Sequence, residues 1–195
     1  MEVTNFKVYD LKESIVASGL PMKSSYDAED FAESVKEALH GSPHFDRMVK
    51  LASAPAGSGH ANALSGILVS ANITATVKWW EQFQRYHFKQ LISSQSTMHR
   101  LRAMIKNGTA TFNEKSDSRM VAFMKTLVNE GVDDETLAYS CPMGLELTAR
   151  VTMNYLQLKT MYQQRKTHKL EEWHQFCNWI TKLPYATTLI TEGEN

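Results

Sequence analysis

The most apolar stretch of the chain, residues 63–77, is interrupted at Ser65, Ser70, Asn72, Thr74 and Thr76. A membrane-spanning helix needs about 20 mainly apolar residues, so the stretch is expected inside a soluble fold. Residues 64–73 predict a strand, preceded by a backbone-exposing loop at 55–62 that carries Pro55, Gly57 and Gly59. Residues 3–9 and 14–17, with their β-branched and aromatic side chains, predict further strands. Most of the rest reads as short helices set off by caps and breakers. Ser24 caps a helix, with Asp27 at its third position, that runs to about His40 and stops at Gly41. A shorter helix is expected over 45–52. Thr74 or Thr76 caps a helix over 78–87, and a polar loop then leads to a helix over 98–105. Asn107-Gly108 marks a turn, a helix over 115–129 ends at Gly131, and Asp133 starts a short helix that stops before Pro142. Residues 144–164 give the longest helical candidate, and 169–182 the last helix, ended by Leu183-Pro184. The expected fold class is α/β (α+β): a helix-rich single domain over 1–195 with a modest central sheet.

The 195 residues are 43% hydrophobic and 22% charged, which excludes disordered and fibrous classes. Two cysteines, Cys141 and Cys177, are too few for a disulfide framework and fit a reducing compartment. The opening residues carry no apolar signal segment, so a cytoplasmic location without membrane partners is expected. Lysine plus arginine equals aspartate plus glutamate at 21 each, yet the charges are unevenly spread. Residues 78–106 hold Lys78, Arg85, Lys89, Arg100, Arg102 and Lys106 against Glu81 alone, and residues 150–170 hold five bases and no acid. Two basic segments in a neutral chain point to a local anionic ligand and away from polymeric nucleic acid.

On the helix expected over 78–87, Lys78, Gln82, Arg85 and Lys89 fall at spacings that share a face, beside a stripe of Trp79, Phe83 and Tyr86. Such a face suits a flat anionic ligand; a core stripe beside a solvated face has the same spacing. Ser93, Gln95, Ser96 and Arg100 lie in a hydroxyl-rich segment entering a helix, a combination competent to bind phosphate or simply to cap. On the long helix, Leu147, Val151, Tyr155, Leu158 and Tyr162 form a core stripe, Arg150 and Asn154 share another face, and Lys159 lies about half a turn from Arg150. The three therefore serve two ligands or neighbouring subunits, or Lys159 is solvated. His174-x-x-Cys177 lacks the second pair a zinc site needs. Cys141 reads as a nucleophile or as a small buried thiol. The glycines match neither a P-loop nor a dinucleotide fingerprint, and there is no G-x-S-x-G elbow.

Several segments, in order, resemble the flavin-dependent thymidylate synthases. Residues 148–159, Thr-Ala-Arg-Val-Thr-Met-Asn-Tyr-Leu-Gln-Leu-Lys, resemble that family's Asn-Ala-Arg-x-x-x-Asn-Phe-x-x-Leu-Arg helix, with Thr148 and Lys159 as substitutions. Cys141-Pro142 resembles its Leu-Pro, and His168 with Glu172 its His-x-x-x-Glu pair. Residues 82–87, Gln-Phe-Gln-Arg-Tyr-His, resemble Gln-x-x-Arg-His-Arg, with Gly59-His60 and Ser25 at two further family positions upstream. Together these anchors run from about residue 23 to 172.

The resemblance implies a homotetramer with sites at subunit junctions, FAD as cofactor, NADPH and methylenetetrahydrofolate as co-substrates, and dUMP as the pyrimidine deoxynucleotide. By position it implies that Ser25, His60, Arg85, Tyr86, His87, Arg150 and Asn154 bind flavin. It likewise implies that Gln82, Ser93, Gln95, Ser96, Arg100 and Lys159 face the nucleotide, with Arg85 and Lys159 as catalytic residues. The sequence departs from the family in the nucleotide segment. Ser93, Gln95 and Arg100 align only through a three-residue insertion, which sets Ser96 where the family has glutamate and Met98 where it has serine. Ala138 stands where it has an arginine. These departures leave two further readings: a divergent flavoenzyme that transfers methyl or hydroxymethyl to another pyrimidine nucleotide such as dCMP, or a catalytically silent nucleotide-binding homologue.

Overall fold

Side-chain caps divide the chain into its helices. In the computed structural model, which describes residues 1–38, 40–55 and 58–191, the order is β1 (Glu2–Tyr9), α1 (Leu11–Ala17), α2 (Ala28–Glu37), α3 (Pro43–Ala52), β2 (Leu68–Thr76), α4 (Val77–Phe83), β3 (Gln90–Ser94), α5 (Thr97–Lys106), α6 (Ser118–Glu130), α7 (Asp134–Tyr139), β4 (Glu146–Asn154), α8 (Tyr155–Arg165) and α9 (Glu171–Ile180). Helices α2 to α8 each begin on a side chain that accepts from a backbone N–H of the first turn: Asp27, Ser42, Thr76, Ser96, Asp117, Asp133 and Asn154. The sheet is four-stranded and antiparallel in the order β1-β2-β4-β3. The expected helix-rich fold with a modest sheet is therefore the observed one. No helix among the described residues is long and apolar enough to cross a membrane.

Several expected elements are corrected. Residues 14–17 are helical, within α1, where Ser14, Ile15 and Val16 are buried. Asp27, not Ser24, caps α2, and that helix ends at Glu37; Leu39, within the expected span, lies outside the described residues. The strand expected over 64–73 begins four residues later, because His60–Ser65 winds into a 3-10 turn. Ala56 and Gly57 of the 55–62 loop lie outside the described residues. Helix α4 ends at Phe83, so Arg85 and Lys89 fall beyond it and the four-residue cationic face does not form. Part of the loop expected after it is strand β3.

The largest correction concerns residues 144–164, which are a strand followed by a helix. Over β4 the sequence Glu-Leu-Thr-Ala-Arg-Val-Thr-Met-Asn alternates polar and apolar, a period of two. Ala149, Val151 and Met153 are buried while Thr148, Arg150, Thr152 and Asn154 are half-buried on the opposite face. Arg150 thus stands on a strand and Lys159 on a helix, and the half-turn separation expected of them does not apply.

The residues pack into two compact units. The first comprises Met1–Thr4, Asn72–His87 and Leu91–Val151. Its core joins Leu101 and Ile105 of α5, Met124, Leu127 and Val128 of α6, and Leu137 of α7. On α4, Trp79 stacks on Phe83 at 4.6 Å between ring centroids. Within this unit Thr74 and Thr148 share a hydroxyl hydrogen bond of 2.8 Å, and the Arg150 guanidinium donates to Asn72 Oδ1 at 3.2 Å. Both pairs sum to 222 in residue number, so they stand opposite one another in an antiparallel register.

The second unit comprises Asn5–Ala71, Phe88–Gln90 and Thr152–Asn195. Ser70 and Thr152, again summing to 222, are joined there at 2.8 Å. Helix α8 packs on α9, on the 3-10 turn and on Thr187–Thr191. Fully buried Tyr155, Leu158, Trp173 and Phe176 fill the space among them, and the Tyr155 hydroxyl donates to the Pro184 carbonyl at 2.7 Å.

Candidate functional site

The second unit holds a cavity of about 880 Å3. Its walls are the chain just after α3, the 3-10 turn, Phe88 and one side of α8 from Leu156 to Gln163. The turn starts at Gly59, whose φ of +77° is the left-handed region that glycine occupies without strain. This lets the backbone fold back and set Ser58, Asn62 and Ser65 along the cavity wall. On the opposite wall Asn154 caps α8, its Oδ1 accepting from the Gln157 N–H at 2.8 Å. Gln157, itself buried, accepts from the Phe88 N–H through Oε1 at 3.3 Å.

Lys159 is the one charged side chain among the described lining residues, and it is only 9% exposed. Its ammonium donates to the Ala52 carbonyl at 2.6 Å. Burial lowers its pKa from the ordinary lysine value, because desolvation disfavours the charged form. A cation held on a neutral carbonyl, in a cavity otherwise lined by hydroxyls, amides and apolar groups, favours an anionic or strongly polar ligand. The volume falls in the range of small-molecule sites.

The structure brings together Asn154 and Lys159, which both line this cavity. His60 sits exposed between two lining residues, Gly59 and Ala61, while Ser25 is exposed and is not part of the lining. Gln157, Asn62 and Ser65 line the cavity without having been singled out from the sequence. The signal for Asn62 was the polar, glycine-punctuated 55–62 segment, and that for Gln157 its place within the matched 148–159 segment; Ser65 follows three residues after that loop.

The remaining expected site residues belong to the first unit. Gln82 is half-buried on α4; Arg85 and His87 are exposed just after it, and Tyr86 is buried. Ser93 is exposed on β3, and Arg100 is exposed on α5. The Gln95 backbone N–H donates to the Thr148 carbonyl at 3.0 Å, and its side-chain Oε1 accepts from the Thr148 N–H at 2.8 Å. Gln95 thus extends the pairing of β3 with β4. The Ser96 hydroxyl is taken up by the α5 cap, accepting from the His99 N–H at 3.3 Å. A second cavity in this unit, about 450 Å3 and lined by Trp80, Leu91, Met143 and Leu147 among others, contains none of the expected site residues.

Burial pushes the thiols of Cys141 and Cys177 up to about 11, so both are protonated at neutral pH and neither is poised as a nucleophile. His174 pairs with Glu171 at 3.2 Å through Nδ1.

Fold and site together describe a helix-rich α+β protein with a small antiparallel sheet and a cation-bearing cavity at the start of a helix. Neither a protein-family model nor a curated protein sequence matches the chain. Solved structures do match it. One is the flavin-dependent thymidylate synthase ThyX from Helicobacter pylori complexed with FAD and dUMP, at a TM-score of 0.77 and 13% identity over 100% of both chains. Another structure of ThyX from the same organism, with FAD and dUMP, gives 0.75 and 16% identity over 98% of each. The chain has the fold of the flavin-dependent thymidylate synthases.

Proposed function

We propose that this protein is a flavin-dependent thymidylate synthase-like enzyme that binds FAD and a pyrimidine deoxynucleotide, dUMP first among them. The observation that carries the reading is the agreement of fold over the whole chain with structures that hold both ligands. The residues present fit such ligands. The larger cavity offers hydroxyl and amide groups and one desolvated cation, with no carboxylate among the described lining residues to repel a phosphate. Arg150 offers a guanidinium on the polar face of the sheet, where it donates to the Asn72 carboxamide oxygen.

Bound FAD would supply the redox capacity for a reductive one-carbon transfer from methylenetetrahydrofolate to C5 of dUMP, with NADPH as reductant. The chain's own groups bind and orient. Asn154, Arg150, His60, Arg85, Tyr86, His87 and Ser25 are assigned to the flavin. Lys159 is assigned to the nucleotide, its ammonium donating to an anionic or carbonyl oxygen in place of Ala52, with Gln82, Ser93 and Arg100 as further nucleotide contacts. We assign the active form to a homotetramer in a reducing, cytoplasmic compartment.

A second reading has its own support. Gln95 and Ser96, expected at the nucleotide, spend their side-chain oxygens on Thr148 and on the α5 cap. A pocket that loses hydrogen-bonding groups to its substrate changes discrimination strongly, which favours another pyrimidine such as dCMP. The test is the visible absorption spectrum of the purified protein, titrated with dUMP and dCMP, followed by tritium release from each C5-labelled nucleotide. A flavin band perturbed by dUMP, with release from it, supports the first reading; the same responses to dCMP alone support the second. A protein that takes up no FAD refutes both and leaves a silent scaffold.

A further inference from the structure

Asn72 lies mid-strand in β2, directly opposite Arg150 of β4 in the antiparallel register, and its Oδ1 accepts from the Arg150 guanidinium at 3.2 Å. One step further along the same face, Thr74 and Thr148 close a hydroxyl pair of 2.8 Å. Both strands are regular there, and the side chains of Ile73, Ala75, Ala149 and Val151 on the other face are buried. The backbone beneath Asn72 and Arg150 is therefore fixed by the core, and Asn72 is itself half-buried.

We infer that Asn72 is a positioning residue for Arg150, restraining the guanidinium for an anionic group of the flavin. This rests on the proposed role of Arg150 as a flavin contact. An arginine side chain gives up rotamer freedom when it is fixed, and part of that loss is already met when a neighbour restrains it before the ligand arrives. The chemistry of the neighbour matters. A carboxylate at position 72 would restrain the guanidinium and also set a negative charge against it, whereas a carboxamide restrains it and adds no charge.

The experiment is a double-mutant cycle on the FAD dissociation constant, followed by flavin fluorescence, with thermal melts of every variant. Arg150→Ala is expected to weaken FAD by about tenfold or more, and Asn72→Ala by about three- to tenfold, the range of one lost hydrogen bond. Because Asn72 acts through Arg150, Asn72→Ala in the Arg150→Ala background is expected to add nothing. Asn72→Asp keeps the size and the acceptor, and so the melting temperature. It is nevertheless expected to weaken FAD at least as much as Asn72→Ala, which a purely structural role would not produce.

Asn72→Ala or Asn72→Asp binding FAD as wild type does, while Arg150→Ala does not, would overturn the role of Asn72 and leave that of Arg150 standing. A loss in the double variant equal to the sum of the single losses would overturn it too. If Arg150→Ala binds FAD normally, the assignment of Arg150 to the flavin fails and this inference fails with it.

Discussion

Asn154 is assigned to the flavin, yet the structure also gives it a structural task, and the two can be separated by substitution. Its backbone is extended, at φ −128° and ψ 166°, and its side chain closes the first turn of α8 on the Gln157 N–H at 2.8 Å. Replacing such a cap by alanine leaves that N–H without its acceptor and costs about 1 kcal/mol. In a chain of this size that corresponds to a fall of about 2–4 °C in melting temperature. Asn154→Asp keeps the acceptor and sets a negative charge at the positive end of the helix, so it is expected to be as stable as wild type or more so. Both variants remove the carboxamide N–H2 from the cavity, so both are expected to weaken FAD if Asn154 donates to the flavin. Urea unfolding followed by tryptophan fluorescence reads the first effect, as a shift in midpoint at unchanged slope; flavin titration reads the second. Asn154→Ala as stable as wild type, or Asn154→Asp as unstable as Asn154→Ala, would refute the capping argument. Wild-type FAD affinity in both would refute the flavin assignment while leaving the cap intact.

Lys159→Met removes the buried ammonium and its bond to Ala52. Loss of a charge-assisted hydrogen bond to the nucleotide is worth about 1.5–3 kcal/mol, or about 10- to 150-fold in affinity by calorimetry; a change under about twofold would remove Lys159 from the site. The same residue sets a pH dependence. Its folded pKa lies below the ordinary 10.5 because of burial, so between the two values the unfolded chain holds a proton that the folded chain has released. Stability attributable to Lys159 therefore rises with pH across that window, while affinity for an anionic nucleotide falls. Denaturation of wild type and Lys159→Met as the pH is raised toward 10.5 is expected to show that slope in wild type only; parallel curves would contradict it. Finally, thiols pushed up to about 11 are expected to react slowly with a disulfide reagent at neutral pH in the native protein and quickly after unfolding. Rapid native labelling would show that one of them is more accessible and acidic than its burial implies.

The helix boundaries were the most legible part of this sequence. Ser96 before α5, Thr76 before α4, Asp133 before α7 and Gly131 after α6 act through hydrogen bonds and dihedral angles confined to a few neighbouring residues, and a linear reading captures such local terms. The order of the matched anchors was legible in the same way, because it too is a property of the linear chain.

Residues 144–164 show where a linear reading runs out. Leu147, Val151, Tyr155, Leu158 and Tyr162 fit a helical stripe, while residues 146–154 also alternate with a period of two. Local propensity does not choose between the two patterns. The choice comes from β2, whose Asn72 and Thr74 stand opposite Arg150 and Thr148 and hydrogen-bond to them, while Ala149 and Val151 are buried behind them. That pairing joins residues more than 70 positions apart in the chain. The partnership of Lys159 with Ala52, 107 residues away, is of the same kind. The sequence by itself determined several helix ends, among them the starts of α4, α5 and α7 and the end of α6, and which residue types were on hand to meet an anion. Only the tertiary structure decided which of them share a cavity, because burial and cross-strand register depend on contacts that exist only once distant segments have met.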